Sequence, residues 1–137
     1  MKVSIVTCTY NSAATVADTI KSVNSQTYPD IEHIIVDGLS KDNTVDIANT
    51  LSTYRQHIIC EKDNGIYDAF NKGIKAASGD IVGVLNSDDF FTSPDVVANI
   101  VKVQTRKILL IGILPFMDDA DGFHVRPPVV LCKKEPV

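Results

Sequence analysis

Bases are in deficit: 13 Lys+Arg stand against 17 Asp+Glu, a formal net charge of -4, so the basic footprint of a nucleic-acid-binding domain is missing. Cysteine is sparse and unpaired in pattern. Cys8, Cys60 and Cys132 form no CxxC motif, and an odd number cannot all be bridged within one chain, which points to reduced thiols in a cytosolic setting. Cys8 and Cys60 end apolar runs and read as small buried fillers. No secretory leader is visible, because the apolar stretch after Lys2 breaks at Thr7, Thr9 and Asn11. The longest apolar run, Ile108–Met117, contains Gly112 and Pro115 and falls well short of the roughly 20 residues of a bilayer span. Neither a Walker A pattern nor a GxGxxG after the first strand occurs, which removes P-loop ATPase and dinucleotide oxidoreductase chemistry. His33, His57 and His124 share no metal-ligand spacing, and no GxSxG elbow presents a serine nucleophile.

What is present fits one domain. The 137 residues are 45% hydrophobic and 22% charged, an ordinary globular balance without repeats or low-complexity segments. Short β-branched runs alternate with segments of helical period. Strands are expected at Lys2–Thr7, Ile31–Val36, His57–Cys60 and Ile81–Leu85. Helices are expected at Ala14–Gln26 after a Ser12 cap, at Thr44–Thr53 after Asp42 or Asn43, and at Ile66–Ala77. A fourth helix is expected to open with Ser93 as cap and Pro94 at its first position. Ile81–Leu85 is apolar throughout, as suits a strand covered on both faces. The predicted fold class is therefore α/β: a three-layer, doubly wound, mostly parallel sheet of Rossmann-like type. Residues 1–122 form the expected domain, and 123–137 read as a poorly packed tail in which the alternation has faded.

In such sheets ligands bind beyond the carboxyl ends of the strands. There the sequence places Thr7–Asn11, then Asp37–Thr44, then Glu61–Gly65, then Asn86–Asp89. One such cluster is ordinary turn chemistry. Four on one edge suggest a site for a sugar nucleotide, with Asp37 able to accept hydrogen bonds from a base or ribose. Asp88 and Asp89 are adjacent acids after a buried strand, an arrangement that calls for a cation or a set of donors. Hard carboxylate oxygens suit Mg2+ or Mn2+, bound through one or two carboxylates plus substrate phosphates.

These blocks resemble family 2 glycosyltransferases. Val3–Asn11 is similar to the family's opening strand and donor loop, and Ile34–Thr44 to its VDGxSxDxT block. Asp63–Gly73 is similar to DxGxYDAxNKG, and Ala77–Asp89 to AxGDIxxxLNSDD, both of the bacterial exopolysaccharide and colanic-acid-type branch. The resemblance covers residues 2 to about 95. It implies a GT-A, nucleotide-diphospho-sugar transferase fold and a UDP- or GDP-sugar donor.

Carried over position by position, it implies base and ribose contacts from Thr9 and Asp37, with Tyr10 and Asn11 shaping that loop. Asp63 and Gly65 would border the base pocket, and Asn71 and Lys72 would lie near the sugar or diphosphate. Asp88, last in a DxD-like motif whose first acid is here Asn86, would hold the divalent ion, with Asp89 supporting it. The implied reaction is inverting displacement at the anomeric carbon, with a glycan or lipid-linked acceptor at the inner face of the plasma membrane. Family members continue into a second half with the acceptor site and a catalytic base. The chain is therefore expected to be a shortened product keeping the donor half, with acceptor contacts supplied by a partner subunit or a second copy. Asp118, Asp119 and Asp121 read as a surface turn and match no base. The alternative is a non-catalytic nucleotide-sugar binding module of the same fold. A response-regulator-like domain is disfavoured, since it needs acids where this chain has Thr7-Cys8-Thr9.

Overall fold

The computed structural model describes residues 1–53 and 55–102 in full and, beyond them, the end of a helix and five two-residue strands. Asp118, Asp119 and Asp121 lie outside the described residues, as do the side chains of the Ile108–Met117 run and of the tail read over 123–137. The elements run β1 Val3–Thr9, α1 Val16–Asn24, β2 Ile31–Asp37, α2 Thr44–Thr50, β3 Gln56–Cys60, α3 Ile66–Ala76, β4 Ile81–Val84 and α4 Val96–Gln104. The short strands are β5 Ile111–Gly112, β6 Pro115–Phe116, β7 His124–Val125, β8 Val129–Val130 and β9 Cys132–Lys133.

The main sheet has the order β3-β2-β1-β4-β9, with the first four strands parallel and β9 antiparallel to β4. This is the expected α/β architecture, and its logic follows from handedness. The crossovers through α1 and α2 step the chain from β1 to β2 to β3, and both helices lie on one face. β4 then returns to the far side of β1. A right-handed crossover in the reverse direction must pass over the opposite face, and that is where α3 sits, against Val6, Ile34 and Val36. Reversal of strand order beside β1 makes the β1/β4 boundary the switch point of the sheet.

β2 lies between β1 and β3 with helices on both faces, and all seven of its residues are buried. Above it, Val16 and Ile20 of α1 pack on Ile35 and Ala48. Val23 joins Val97 and Ile100 of α4 around Ile5 and Leu85. Below, α3 approaches through Ala69 and Gly73. A Cβ at Gly73 would fall inside contact distance of Val6, so the absent side chain is what lets the helix backbone lie on the sheet.

Some boundaries differ from expectation for local reasons. α1 starts at Val16, because Ser12 O first accepts the N–H groups of Thr15 and Val16 in a turn. Asp42, not Asn43, supplies the side-chain acceptor for Thr44 N–H at the start of α2. Pro94 sits in a turn before α4, which begins at Val96. Cys60 is exposed rather than a buried filler, because it ends β3, whose outer side no described strand covers.

Two buried polar groups away from the strand tips hold the sheet. Glu32 accepts from Ser4 Oγ at 2.5 Å and from Ser78 N at 3.0 Å, tying β1, β2 and the turn before β4 together. Burial alone would raise its pKa, but those hydrogen bonds and the Lys2 charge outweigh it and hold the carboxyl below its usual range. His33 is fully buried under α1 and α2, with Nε2 2.8 Å from Thr7 Oγ1, and burial pushes its pKa down to about 4. The folded protein therefore keeps His33 neutral while the unfolded chain binds a proton below the ordinary value of 6.5. Stability is present in full above pH 6.5 and falls toward pH 4, by about 3 kcal/mol for this one group. Urea unfolding of His33→Gln should lack the slope seen in the parent between pH 6.5 and 5, where most carboxylates do not yet titrate. Equal slopes would contradict the assignment.

Candidate functional site

The loops after β1 and β2 are sewn together by short side chains. Thr9 Oγ1 donates to Asp37 Oδ1 at 2.7 Å, and Gly38 N donates to Thr9 O at 3.0 Å. Asn11, in the left-handed region at φ 49°, donates its N–H to Ser40 Oγ, and its Oδ1 accepts Lys41 N–H at 2.8 Å. Ser12 N donates to Thr44 Oγ1, and Ala13 N donates to Asp42 Oδ2. The Thr44 hydroxyl, with the backbone donors, holds the Asp42 carboxyl below its usual range against the opposing effect of burial. Leu39 also has a positive φ, 62°, with its side chain exposed. Two non-glycine residues in that region within one loop pair mark a backbone held by its surroundings.

Asp37 is fully buried and accepts on both oxygens. Oδ1 takes Thr9 Oγ1 and Ser40 Oγ, while Oδ2 takes Ser40 N at 2.8 Å and Cys60 Sγ at 3.6 Å. That occupies all four lone-pair directions of the carboxylate, the thiol most weakly. Burial, and next the Asp37 charge, raise the Cys60 thiol above its usual pKa.

A cavity of about 540 Å3 opens beyond β1, within the size range of small-ligand sites. Of the residues singled out in the sequence, Thr9, Tyr10, Asp63 and Gly65 line it. Tyr10 is 57% exposed, and Asp63 lies over Gly38, where a Cβ would collide with its carboxylate. Asp63 Oδ1 also accepts Gly65 N–H at 3.1 Å, turning the chain into α3, and Gly65 has φ 108°. The walls are completed by Cys8, Ser12, Gly38, Lys62, Ile66, Ala69 and Ser87. Gly38, Ala69 and Ser87 are fixed positions of the motif blocks quoted above, whereas Cys8, Ser12, Lys62 and Ile66 carry no such signal. Burial, and then the Asp63 charge, push the Cys8 thiol up to about 12, so at neutral pH it is no nucleophile.

The remaining candidates stand elsewhere. Asn11 and Asp37 form the loop framework behind the wall. Asn71 is exposed on α3 outside the lining. Lys72 turns to the flank of the β3–α3 loop, donating to Lys62 O at 2.6 Å and pairing with Glu61 at 3.3 Å and Asp68 at 3.5 Å. Asp88 is exposed on the turn after β4, next to Ser87 in the cavity wall. Asp89 is buried and accepts from Asn86 Nδ2 at 3.2 Å. Among the described residues no three His, Cys, Asp or Glu side chains converge on one point. A protein-only metal cage is therefore not present there. An exposed single carboxylate at a strand end does fit Mg2+ or Mn2+ when substrate phosphates complete the coordination.

Residues 4–123 match the family model described as Glycosyl transferase family 2. The chain is 41% identical over 106 residues to an uncharacterised glycosyltransferase of Mycobacterium tuberculosis, covering 77% of this chain and 40% of that protein. It is 38% identical over 109 residues to the UDP-Glc:alpha-D-GlcNAc-diphosphoundecaprenol beta-1,3-glucosyltransferase WfaP of Escherichia coli, covering 77% and 43%. The chain thus spans 40% and 43% of the length of these two relatives. Among solved structures, a mannosyltransferase of Pyrobaculum calidifontis in complex with GDP-Man and Mn2+ superposes with TM-score 0.71 at 26% identity, over 75% of this chain and 32% of that one. S. aureus TarS in complex with UDP-GlcNAc superposes with TM-score 0.72 at 23% identity, over 77% and 32%, and shows the fold. The architecture is that of the GT-A transferases.

Proposed function

This chain belongs to glycosyl transferase family 2, and we propose that it binds a UDP- or GDP-sugar in the cavity at the carboxyl edge of the sheet and serves as the donor half of sugar transfer. The observation that supports this most is the position of the cavity. It lies beyond the carboxyl ends of the parallel strands, lined by Thr9 and Tyr10 after β1, Gly38 after β2, Lys62, Asp63 and Gly65 after β3, and Ser87 after β4, with Asp88 following directly. The relatives' and neighbours' names point the same way: UDP-Glc for the E. coli enzyme, GDP-Man with Mn2+ for that of Pyrobaculum calidifontis.

In this reading the exposed ring of Tyr10 offers a face to the base, and Asp63 accepts from a base N–H. Thr9, Asn11 and Asp37 hold the β1 loop in shape, and Gly65 lets the chain turn past the base. Asn71 and Lys72 are assigned to the sugar or diphosphate by the resemblance alone. Asp88 would hold Mg2+ or Mn2+, with Asp89 bracing the turn behind it. A divalent ion bound there would neutralise charge on the departing diphosphate. The transfer is proposed as a single inverting displacement onto a glycan or lipid-linked hydroxyl, at the inner face of the plasma membrane for a lipid-linked acceptor. The lipid-diphosphate acceptor named for the E. coli relative supports that class. No helix among the described residues is long and apolar enough to cross a membrane.

A second reading stands beside the first, since the described residues wall a cavity without bringing three acids, histidines or cysteines together: a donor-binding module without turnover. Calorimetry with UDP-, GDP- and dTDP-sugars, with and without Mn2+, tests both. Binding that tightens with Mn2+ is the expected result. Slow donor hydrolysis or transfer would favour the enzyme, and Mn2+-linked binding without turnover the module. No binding of any sugar nucleotide would overturn the proposal.

A further inference from the structure

The connection from β4 to α4 contains no helix or strand, yet much of it is buried: Leu85, Asp89 and Phe91 are inaccessible or nearly so. Main-chain polar groups in such a place need partners. They find them in one polar seam of α1 and the residues just after it. Thr19 Oγ1 lies 3.0 Å from Ser87 O and 2.6 Å from Asp89 O. Ser22 Oγ accepts Phe91 N–H at 3.1 Å. Gln26 donates to Ser93 O at 2.8 Å and accepts Val97 N–H at 3.1 Å. Steps of three and four residues put these side chains on one helical face, alongside the apolar stripe of Val16, Ile20 and Val23.

Thr19 differs from the other two in what it holds. Its two acceptors are the carbonyls of the residues on either side of Asp88, and the threonine is fully buried. Fixing both neighbours fixes the direction in which the intervening carboxylate leaves the backbone. Ser12 Oγ adds a bond to Ser87 Oγ at 3.1 Å, and Asn86 braces Asp89, so the turn is restrained from three sides. An exposed carboxylate on a loose turn loses conformational freedom when it takes a ligand, and a turn already fixed loses less.

From this geometry we infer that Thr19 is a positioning residue: its hydroxyl presents Asp88 to the cation and diphosphate of the donor. The inference rests on the metal-linked donor site proposed above and extends it to a residue that touches neither ligand.

The test compares two parts of one side chain. Thr19→Val keeps the shape and removes the donor; Thr19→Ser keeps the donor and removes the methyl. The readout is calorimetric affinity for UDP, and separately GDP, with and without Mn2+, beside the affinity for UMP. For Thr19→Val the Mn2+-linked gain should shrink about tenfold, the size of effect that outer-shell partners of a metal ligand have. UMP affinity should stay as in the parent, and Thr19→Ser should restore the gain. If Thr19→Val does not fold, Thr19→Ser against Thr19→Ala makes the same comparison, since both lack the methyl. A parent protein with a Mn2+-linked gain that Thr19→Val retains in full overturns this inference alone. A parent with no such gain overturns the metal reading and this inference with it. Equal losses in UMP and in Mn2+-linked UDP affinity would mean that Thr19 is general scaffolding, and would also overturn it.

Discussion

Asp88→Ala is expected to bring the affinity for UDP or GDP in Mn2+ down to its metal-free level while leaving the fold intact. The carboxylate is exposed on the turn after β4, so its removal opens no cavity, and stability should change by no more than about 0.5 kcal/mol. The binding effect should be large, because no other acids converge with it among the described residues to take its place. The loss should reach at least the tenfold that an outer-shell substitution costs. Asp88→Asn is the sharper comparison. It keeps size and one acceptor oxygen but not the charge, and a hard divalent ion binds a neutral amide far less well than a carboxylate. Titration of each variant with UDP across a series of Mn2+ concentrations checks this. Parent-like Mn2+ dependence in Asp88→Ala would remove the metal assignment.

Asp37→Ala is expected to do the opposite: to cost stability first and nucleoside affinity as a consequence. Both carboxylate oxygens are engaged inside the protein by Thr9, Ser40 and Cys60, and the residue is fully buried. Truncation strands the hydroxyls and the Ser40 N–H without an acceptor, at a cost of about 3 kcal/mol. Asp37→Asn preserves volume but turns an amide N–H2 toward Ser40 N–H or the hydroxyls, so it should recover only part of that loss. The carboxylate stands behind the cavity wall, where its bond to Thr9 Oγ1 steadies a residue that lines the cavity. The loosened Thr9 loop should weaken UMP binding about tenfold, with or without Mn2+. Urea unfolding and UMP calorimetry measure the two effects separately. Unchanged stability would contradict the buried network, and unchanged UMP affinity would contradict the hold of Asp37 on the Thr9 loop.

The elements were legible because their signals are local. Val16, Ile20 and Val23 repeat at helical spacing, Ile81–Leu85 is apolar without interruption, and each run is bounded by Asp, Asn, Ser or Gly. Where boundaries moved, backbone carbonyls found other partners: Ser12 O accepts Thr15 N–H in a turn before α1, and Pro94 O accepts Thr27 N–H from outside α4. The same locality explains the limits of the site reading. A motif can bring Asn11, Asp37 and Asp89 to the correct edge of the sheet. Whether each side chain faces a ligand or a neighbouring loop depends on partners such as Ser40 and Lys41 for Asn11, or Thr9 for Asp37. Lys72 illustrates the point: its position in α3 is evident, but Glu61, Asp68 and Lys62 O claim its ammonium group.

By itself the sequence determined the alternation of strands and helices and the polar and acidic residue types gathered at the carboxyl edge of the sheet. Period and turn composition encode these over a few residues at a time. Only the tertiary structure decided the strand order β3-β2-β1-β4, and with it the cavity that the ends of these strands line. It also decided which polar groups are spent on scaffolding, as when Thr19 fastens a turn 68 and 70 residues away. Such pairings have no local signature, because a hydrogen bond joins whichever groups the folded chain brings within reach.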